Sequence, residues 1–456
     1  MRTLGASVAL FLLSWGCGDD GEGTGGAGGQ AACDPQQQTG CAEGQACEEV
    51  EDGTTACFAP VSVAGRVFDF VSDAPIAGAR VVARDENGAS LSTVVETGAD
   101  GSYSLPVPAK RKSDGTPLAR SFTLRADAAT YQSFPLAPRV ALPLDLADAT
   151  GDPLLLQQPN SDIGLIPLAD TAGLGTISGT VVADLPGGTL VDAGGRTGIA
   201  DRDGGFVVFN VPAGTLQVAG YKQGLNFDPA SVEVTADADT TGVTLTANDQ
   251  PAVDVSGSVQ IVNAMGGSAT SVILVLESTF DETLVRGEAP PGLRAGDVTG
   301  TFSISGVPNG SCVVLAGFEN DGLVRDPGTS IGGTEIVRIV VDGAAVSISE
   351  GFKVTGALAV ESPGADDIEE VSGAVTFSWE DDSSEDEYTV QVFDALGTLV
   401  WETTGNFDPG GSAPASVPYG GPALTSGMLY QFRATSIKDG VPISSTEDLR
   451  GVFVVQ

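Results

Sequence analysis

Residues 302–305 read Phe-Ser-Ile-Ser, apolar against polar at every second position. That is the period of a half-buried strand, with Phe302 and Ile304 on one side and Ser303 and Ser305 on the other. Short runs of this kind recur along the chain, bounded by glycine, proline and aspartate, which is the pattern of β-sandwiches and small barrels. Val, Thr, Ser and 62 glycines, rather than helix formers, fill the chain. An all-β fold is expected throughout.

The runs are organised into longer repeats. DGGFVVFNVPAGTLQVAG (residues 203–220) returns as TGTFSISGVPNGSCVVLAG (residues 299–317), and an earlier copy carries Asp100-Gly101-Ser102-Tyr103 and Val107-Pro108. Each copy opens on a strand with a central glycine, at Gly65, Gly179 and Gly257. Gly101, Gly205 and Gly300 are assigned to the tight turn feeding the aromatic strand, where positive φ is easy. Val-Pro then closes that strand, because proline cannot donate to a central ladder. Another apolar strand follows, at residues 216–219 or 312–316.

These residues resemble the carboxypeptidase regulatory-like domain, a small transthyretin-like sandwich. The first copy matches best, with Gly65, Pro75, Gly78, Ala79, Val81, Asp100, Gly101, Tyr103 and Asp162-Ile163-Gly164-Leu165. The second keeps Gly179, Asp203, Gly204 and Phe206 but has a glycine-rich stretch, residues 185–198, in place of the proline-glycine-alanine segment. The third has Val298-Thr299-Gly300 where aspartates belong. The resemblance implies accessory units that stiffen, space or bind, without catalytic residues. The wider fold includes starch-binding modules, so it also implies carbohydrate binding at the level of fold alone. Tyr103, Phe206 and Phe302 alternate into the core, which leaves Tyr131, Tyr221 and Trp401 as candidate sugar platforms, with Phe227 also outside strict alternation.

From residue 357 the pattern changes. Val375-Thr376-Phe377-Ser378-Trp379, the strand at 388–393 and Leu424, Gly427 and Tyr430 resemble a fibronectin type III domain. The resemblance implies Trp379 as the core tryptophan and Leu424, Gly427 and Tyr430 as a tyrosine corner.

The N-terminal end is different again. Residues 1–16 have the shape of an export signal, with Arg2 before an apolar stretch too short to span a bilayer. Cys17 and the glycine-rich residues 17–32 resemble the lipidation site and flexible tether of a bacterial lipoprotein. Four more cysteines, Cys33, Cys41, Cys47 and Cys57, crowd into residues 33–60. They lack a C-x2-C pair, so zinc is disfavoured, and export suits two disulfides. Three connectivities are open; a loose resemblance to EGF-like knots implies first with third and second with fourth. The segment reads as a stapled spacer, and Cys312 as a buried, inert thiol. The organisation is thus a signal peptide (1–16), a tether (17–32), a Cys-rich segment (33–60), three transthyretin-like sandwiches (61–170, 175–248 and 253–354) and a fibronectin-like sandwich (357–456).

Charge narrows the function. Sixty acidic against 21 basic residues give a formal −39, which opposes nucleic-acid binding. Lys110-Arg111-Lys112 reads as a solvated loop. No histidine is present, which removes the usual nucleophile activation and the commonest transition-metal ligand. Carboxylates remain for Ca²⁺, with Asp201 and Asp203 at one turn and Asp381, Asp382, Glu385 and Asp386 in a run holding six acids in eight residues. The competing reading is ordinary turn capping and a solvated loop. The sequence therefore points to a non-enzymatic, lipid-anchored envelope protein for adhesion, partner binding or spacing, at the outer membrane, cell surface or periplasmic face. The alternative is a carbohydrate-binding protein, with or without Ca²⁺. A carboxylate-only glycosidase is the remote one, and it needs two acids converging at ~5–10 Å. A pure spacer is expected to be a rod, with short linkers at 169–175 and 247–254.

Overall fold

The computed structural model describes residues 33–456 except 36–38, 137–138, 263–269, 282–285, 319–323, 326–335, 350–351, 356, 367, 383–384, 408–412 and 447–449. The signal peptide, the tether and Cys17 lie outside the described residues. Apart from strands, the only regular elements among the described residues are three single 3-10 turns, Leu146–Asp148, Pro159–Ser161 and Glu277–Thr279. The all-β expectation holds, as tandem sandwiches.

Modules 1 to 3 (residues 61–170, 175–248 and 253–354) are built alike. In module 1 one sheet orders Ile163–Leu165, Val61–Asp69 and Ser102–Val107. The other orders Val95–Glu96, Arg80–Arg84, Ser121–Asp127 and Leu144–Asp145. Module 2 pairs Leu174–Val182 with Gly205–Pro212 and Asp239–Asn248, and module 3 pairs Val253–Val262 with Thr301–Val307.

The repeated glycine and aromatic face each other across these strands. Gly65 pairs with Tyr103, Gly179 with Phe206 and Gly257 with Phe302. A Cβ on these glycines would come within 2.9 Å of the Tyr103 hydroxyl, 2.7 Å of the Phe206 ring and 2.9 Å of the Phe302 ring. At Gly65 and Gly179 a carbonyl oxygen is nearer still, that of Ser161 and that of Val243, so glycine leaves room both for the ring and for the neighbouring backbone. The Tyr103 hydroxyl donates to the Ser161 carbonyl at 2.5 Å. One detail differs from expectation. The left-handed residues of the turns are Gly101 (φ 76°) and Gly204 (φ 90°), whereas Gly205 and Gly300 are not left-handed. Gly205 has already entered its strand, one residue past the turn.

The Cys-rich segment forms a hairpin, Ala46–Glu49 with Thr55–Phe58, closed by Cys33–Cys47 and Cys41–Cys57. The pairing is first with third and second with fourth. It is not a free-standing spacer. Arg111 is 1% exposed and pairs through Nε with Glu48, itself 2% exposed, at 2.5 Å. Arg111 also donates to the Ala59 carbonyl at 2.9 Å and lies over the Phe58 ring at 5.0 Å. The solvated-loop reading of Lys110-Arg111-Lys112 is therefore corrected. Extended backbone alternates its side chains, so the two lysines stay exposed while the arginine between them is buried. Burial raises the Glu48 pKa despite the opposing effect of Arg111.

Module 4 packs Val360–Ser362, Thr376–Trp379 and Ala415–Pro418 against a sheet running Glu369–Val371, Val452–Val455, Leu429–Lys438, Glu387–Asp394 and Leu399–Gly405. Trp379 is fully buried, its ring 5.2 Å from that of Tyr388. The Tyr430 hydroxyl accepts the Thr425 N–H at 2.9 Å.

Arg111→Ala leaves Glu48 buried without its partner and is expected to cost about 3–5 kcal/mol. The double replacement Glu48→Leu/Arg111→Met should recover most of that loss. Urea denaturation of the three proteins, with the disulfides intact, checks both statements.

Candidate functional site

The Asp201–Asp203 turn is closed by its own backbone. One Asp201 carboxylate oxygen accepts the N–H groups of Asp203 at 3.0 Å and Gly205 at 2.8 Å. The other lies 3.9 Å from Nη2 of Arg80, which reaches across from module 1. Arg80 is buried and donates to the carbonyls of Ile199 at 3.2 Å and Gly205 at 3.1 Å. The Arg80 guanidinium of module 1 thus lies beside this turn, which serves as a seat for module 1. Asp203 is exposed.

The acidic run at 380–387 is tied down at several points. The Tyr388 hydroxyl donates to Asp381 at 2.9 Å and accepts the Asp382 N–H at 2.7 Å. Asp382 accepts from the Ser436 hydroxyl at 2.8 Å. Asp386 pairs with Lys438 at 2.6 Å and accepts the Asp439 N–H at 2.9 Å, and these contacts lower its pKa. Glu385 is half-buried beside them. Among the described residues, the only side chains bringing three ligand atoms together are Cys33, Cys41 and Cys47, all committed to disulfides.

The three aromatic candidates occupy three separate places. Tyr131 is half-buried on the module 1 core, its hydroxyl donating to Asp69 at 3.0 Å. Tyr221 lies between modules 2 and 3, so close over Gly310 that a Cβ there would come within 2.7 Å of the ring. Burial, with Asp192 nearby, pushes its phenol up to about 12. Trp401 sits on module 4 with its ring 6.0 Å from Phe377 and 5.1 Å from Tyr419. Phe227 packs on the module 2 core.

Sequence reasoning missed the arginines. On the Arg80–Arg84 strand, Val81 and Ala83 enter the module 1 core, while Arg80, Val82 and Arg84 take the opposite face. That face is covered by modules 2 and 3. Val82 packs with Leu190 and Ile199 of module 2 and Leu276 of module 3. Arg125, paired in register with Val82, bonds Asp127 at 2.7 Å, the Thr197 carbonyl of module 2 at 3.1 Å and Glu288 of module 3 at 2.8 Å. Arg84 pairs with the same Glu288 oxygen. Burial works against the charge of Arg125, but Asp127 and Glu288 outweigh it and raise its pKa. Module 4 reaches the same hub: Arg139 donates to the Leu396 carbonyl, and Leu142 packs with Phe393 and Leu429. Burial lowers the Arg139 pKa to about 10. Module 1 therefore touches every other unit, and the chain is a cluster rather than the rod expected of a spacer. The available signal was a strand whose outer face alternates arginine and valine where serine or threonine is usual.

No family model matches the chain, and no curated protein matches it. Solved structures give distant likenesses. A streptococcal ancillary pilin is 13% identical, with 64% of this chain and 98% of that one covered, at a TM-score of 0.17. The TIE protein of Bacillus anthracis is 13% identical over 93% of this chain and 73% of that one, at 0.14. The shaft pilin SpaA of Lactobacillus rhamnosus GG is 11% identical over 41% and 98%, at 0.18. Similarity this slight carries no functional argument.

Cys312 is buried on the third module's Gly310–Phe318 strand, and burial, with Glu277, pushes its thiol up to about 12. At pH 8 the thiolate is scarce, so a protein of residues 33–456, which lacks Cys17, is expected to resist iodoacetamide while native and to react at this one site once unfolded with its disulfides intact; mass spectrometry of the alkylated protein checks it. Glu288→Ala leaves Arg84 and Arg125 facing each other in the module 1–3 contact. It should cost about 2–3 kcal/mol, read from urea denaturation.

Proposed function

We propose that this chain is a non-enzymatic envelope protein, exported and lipid-anchored through Cys17, whose modules form one compact head for adhesion or partner binding. The observation that carries this reading is where the buried polar groups go. Glu48–Arg111 joins the Cys-rich segment to module 1. Arg80, Arg84 and Arg125 join module 1 to modules 2 and 3, and Arg139 joins it to module 4. Paired charges at the bottom of a cleft would favour catalysis; here they sit between units. A shallow groove of about 280 Å³ on module 4 does hold two acids, Glu369 and Glu370. They are consecutive on one strand, so their side chains take opposite faces and do not converge. Among the described residues no helix is long and apolar enough to cross a membrane. The resemblance of residues 1–32 to a lipoprotein leader and tether supports anchoring through Cys17.

A second reading rests on the half-buried Trp401–Tyr419 pair, with Gly420 and Gly421 beside it. Two adjoining rings next to the edge strand Leu399–Gly405 offer a platform for a sugar face.

Small-angle scattering of residues 33–456 separates head from rod. Compact packing gives a radius of gyration of about 22 Å by chain-length scaling, and a rod of four modules would be roughly twice that. A rod would overturn the head. A glycan array with and without Ca²⁺ addresses the second reading, with Trp401→Ala expected to abolish any saturable binding found.

A further inference from the structure

Modules 2 and 3 each carry a β-bulge that module 1 lacks. In module 1, Val61 to Arg66 pair with Val107 to Ser102 without a break. In module 2 the register slips between Gly175 and Ile177, so Phe209 and Asn210 together face Thr176. In module 3 it slips between Val253 and Val255, so Ser305 and Gly306 face Asp254. The extra residue stands directly before Val-Pro in both, and both are left-handed, Asn210 at φ 59° and Gly306 at φ 70°. Bulges of this kind re-aim the chain at a chosen point.

Each bulge meets the same part of the preceding module. Beyond the Ser121–Asp127 strand of module 1 comes a turn with Thr130 at φ 69°, and beyond the Gly214–Tyr221 strand of module 2 a turn with Gly224 at φ 80°. The Thr130 N–H donates to the Asn210 side-chain oxygen at 2.8 Å. The Gly224 N–H donates to the Gly306 carbonyl at 2.7 Å. Side-chain amides complete both contacts. Asn210 donates to the carbonyls of Ala128 at 3.2 Å and Tyr131 at 2.8 Å, and Gln223 donates to the Ser305 carbonyl at 3.0 Å.

We infer that this bulge is the docking element by which a module of this chain seats on its predecessor, and that its partner is the left-handed turn residue of that predecessor. Module 1 follows the Cys-rich segment, not a sandwich; it has no bulge and receives its neighbour through Arg111 instead. Module 3 also meets module 1 directly, through Glu288 with Arg84 and Arg125. The inference goes beyond the proposed head, which requires only that the modules pack.

The test uses residues 33–456 and two substitutions that tolerate a left-handed backbone, Asn210→Gly and Asn210→Asp. Glycine removes all three side-chain contacts. Aspartate keeps an acceptor for Thr130 but sets a carboxylate against two carbonyls. Amide exchange at Thr130 is expected to quicken about tenfold in Asn210→Gly, and the distance distribution between spin labels on modules 1 and 2 should broaden in both variants. Thermal melts confirm that the variants remain folded. Unchanged Thr130 exchange and unchanged label distances in both would overturn the inference. Scattering that still shows a compact particle would leave the head intact in that event, so the two readings fail separately.

Discussion

An aromatic ring lying across a glycine on the next strand is the contact on which modules 1 to 3 depend. Tyr103 over Gly65, Phe206 over Gly179 and Phe302 over Gly257 fix the register of the opening strand against its partner. A slip of one residue would send every core side chain of that strand to the opposite face. The same register decides where the bulge in modules 2 and 3 emerges, because Asn210 and Gly306 both lie four residues beyond the ring. A core contact thereby sets the position of a surface joint. Architecture within modules and architecture between them rest on one pair of residue types.

Much of this was legible along the chain and some was not, for reasons of distance. The glycine-aromatic-Val-Pro repeat is local; period-two alternation placed Phe302 and Ile304 in the core, and the fibronectin-like resemblance placed Trp379 there, where all three are found. Counting left three cysteine pairings open, and the one that the EGF-like resemblance implies is the one found. Arg111 was misread because its partner Glu48 stands 63 residues away, and Arg80 and Arg125 were missed because their contacts span 119 and 163. A charged side chain on the outer face of a strand looks solvated until another module covers it. The bulges were hidden differently. One additional residue before Val-Pro looks like more strand, and only the ladder shows that it faces nothing of its own.

The choice of cation is also informative. With a formal charge of −39, the modules repel one another at a distance, and bringing them together must overcome that repulsion. The chain has 21 basic residues in all, and the groups buried between units are arginines. A guanidinium bonds several partners from one plane and sheds water more readily than an ammonium. Arg125 illustrates this by joining Asp127, Thr197 and Glu288, one from each of three modules. A lysine there would present a single point charge to the same three groups.

The docked Cys-rich hairpin has a mechanical meaning. Its disulfides, Cys33–Cys47 and Cys41–Cys57, make a short link that does not lengthen by unfolding while they stay oxidised. A pull applied upstream of Cys33 passes through that link and the Glu48–Arg111 pair into module 1, the one unit in contact with all the others. For a chain held from its N-terminal side, load would enter at module 1, which packs directly against modules 2, 3 and 4.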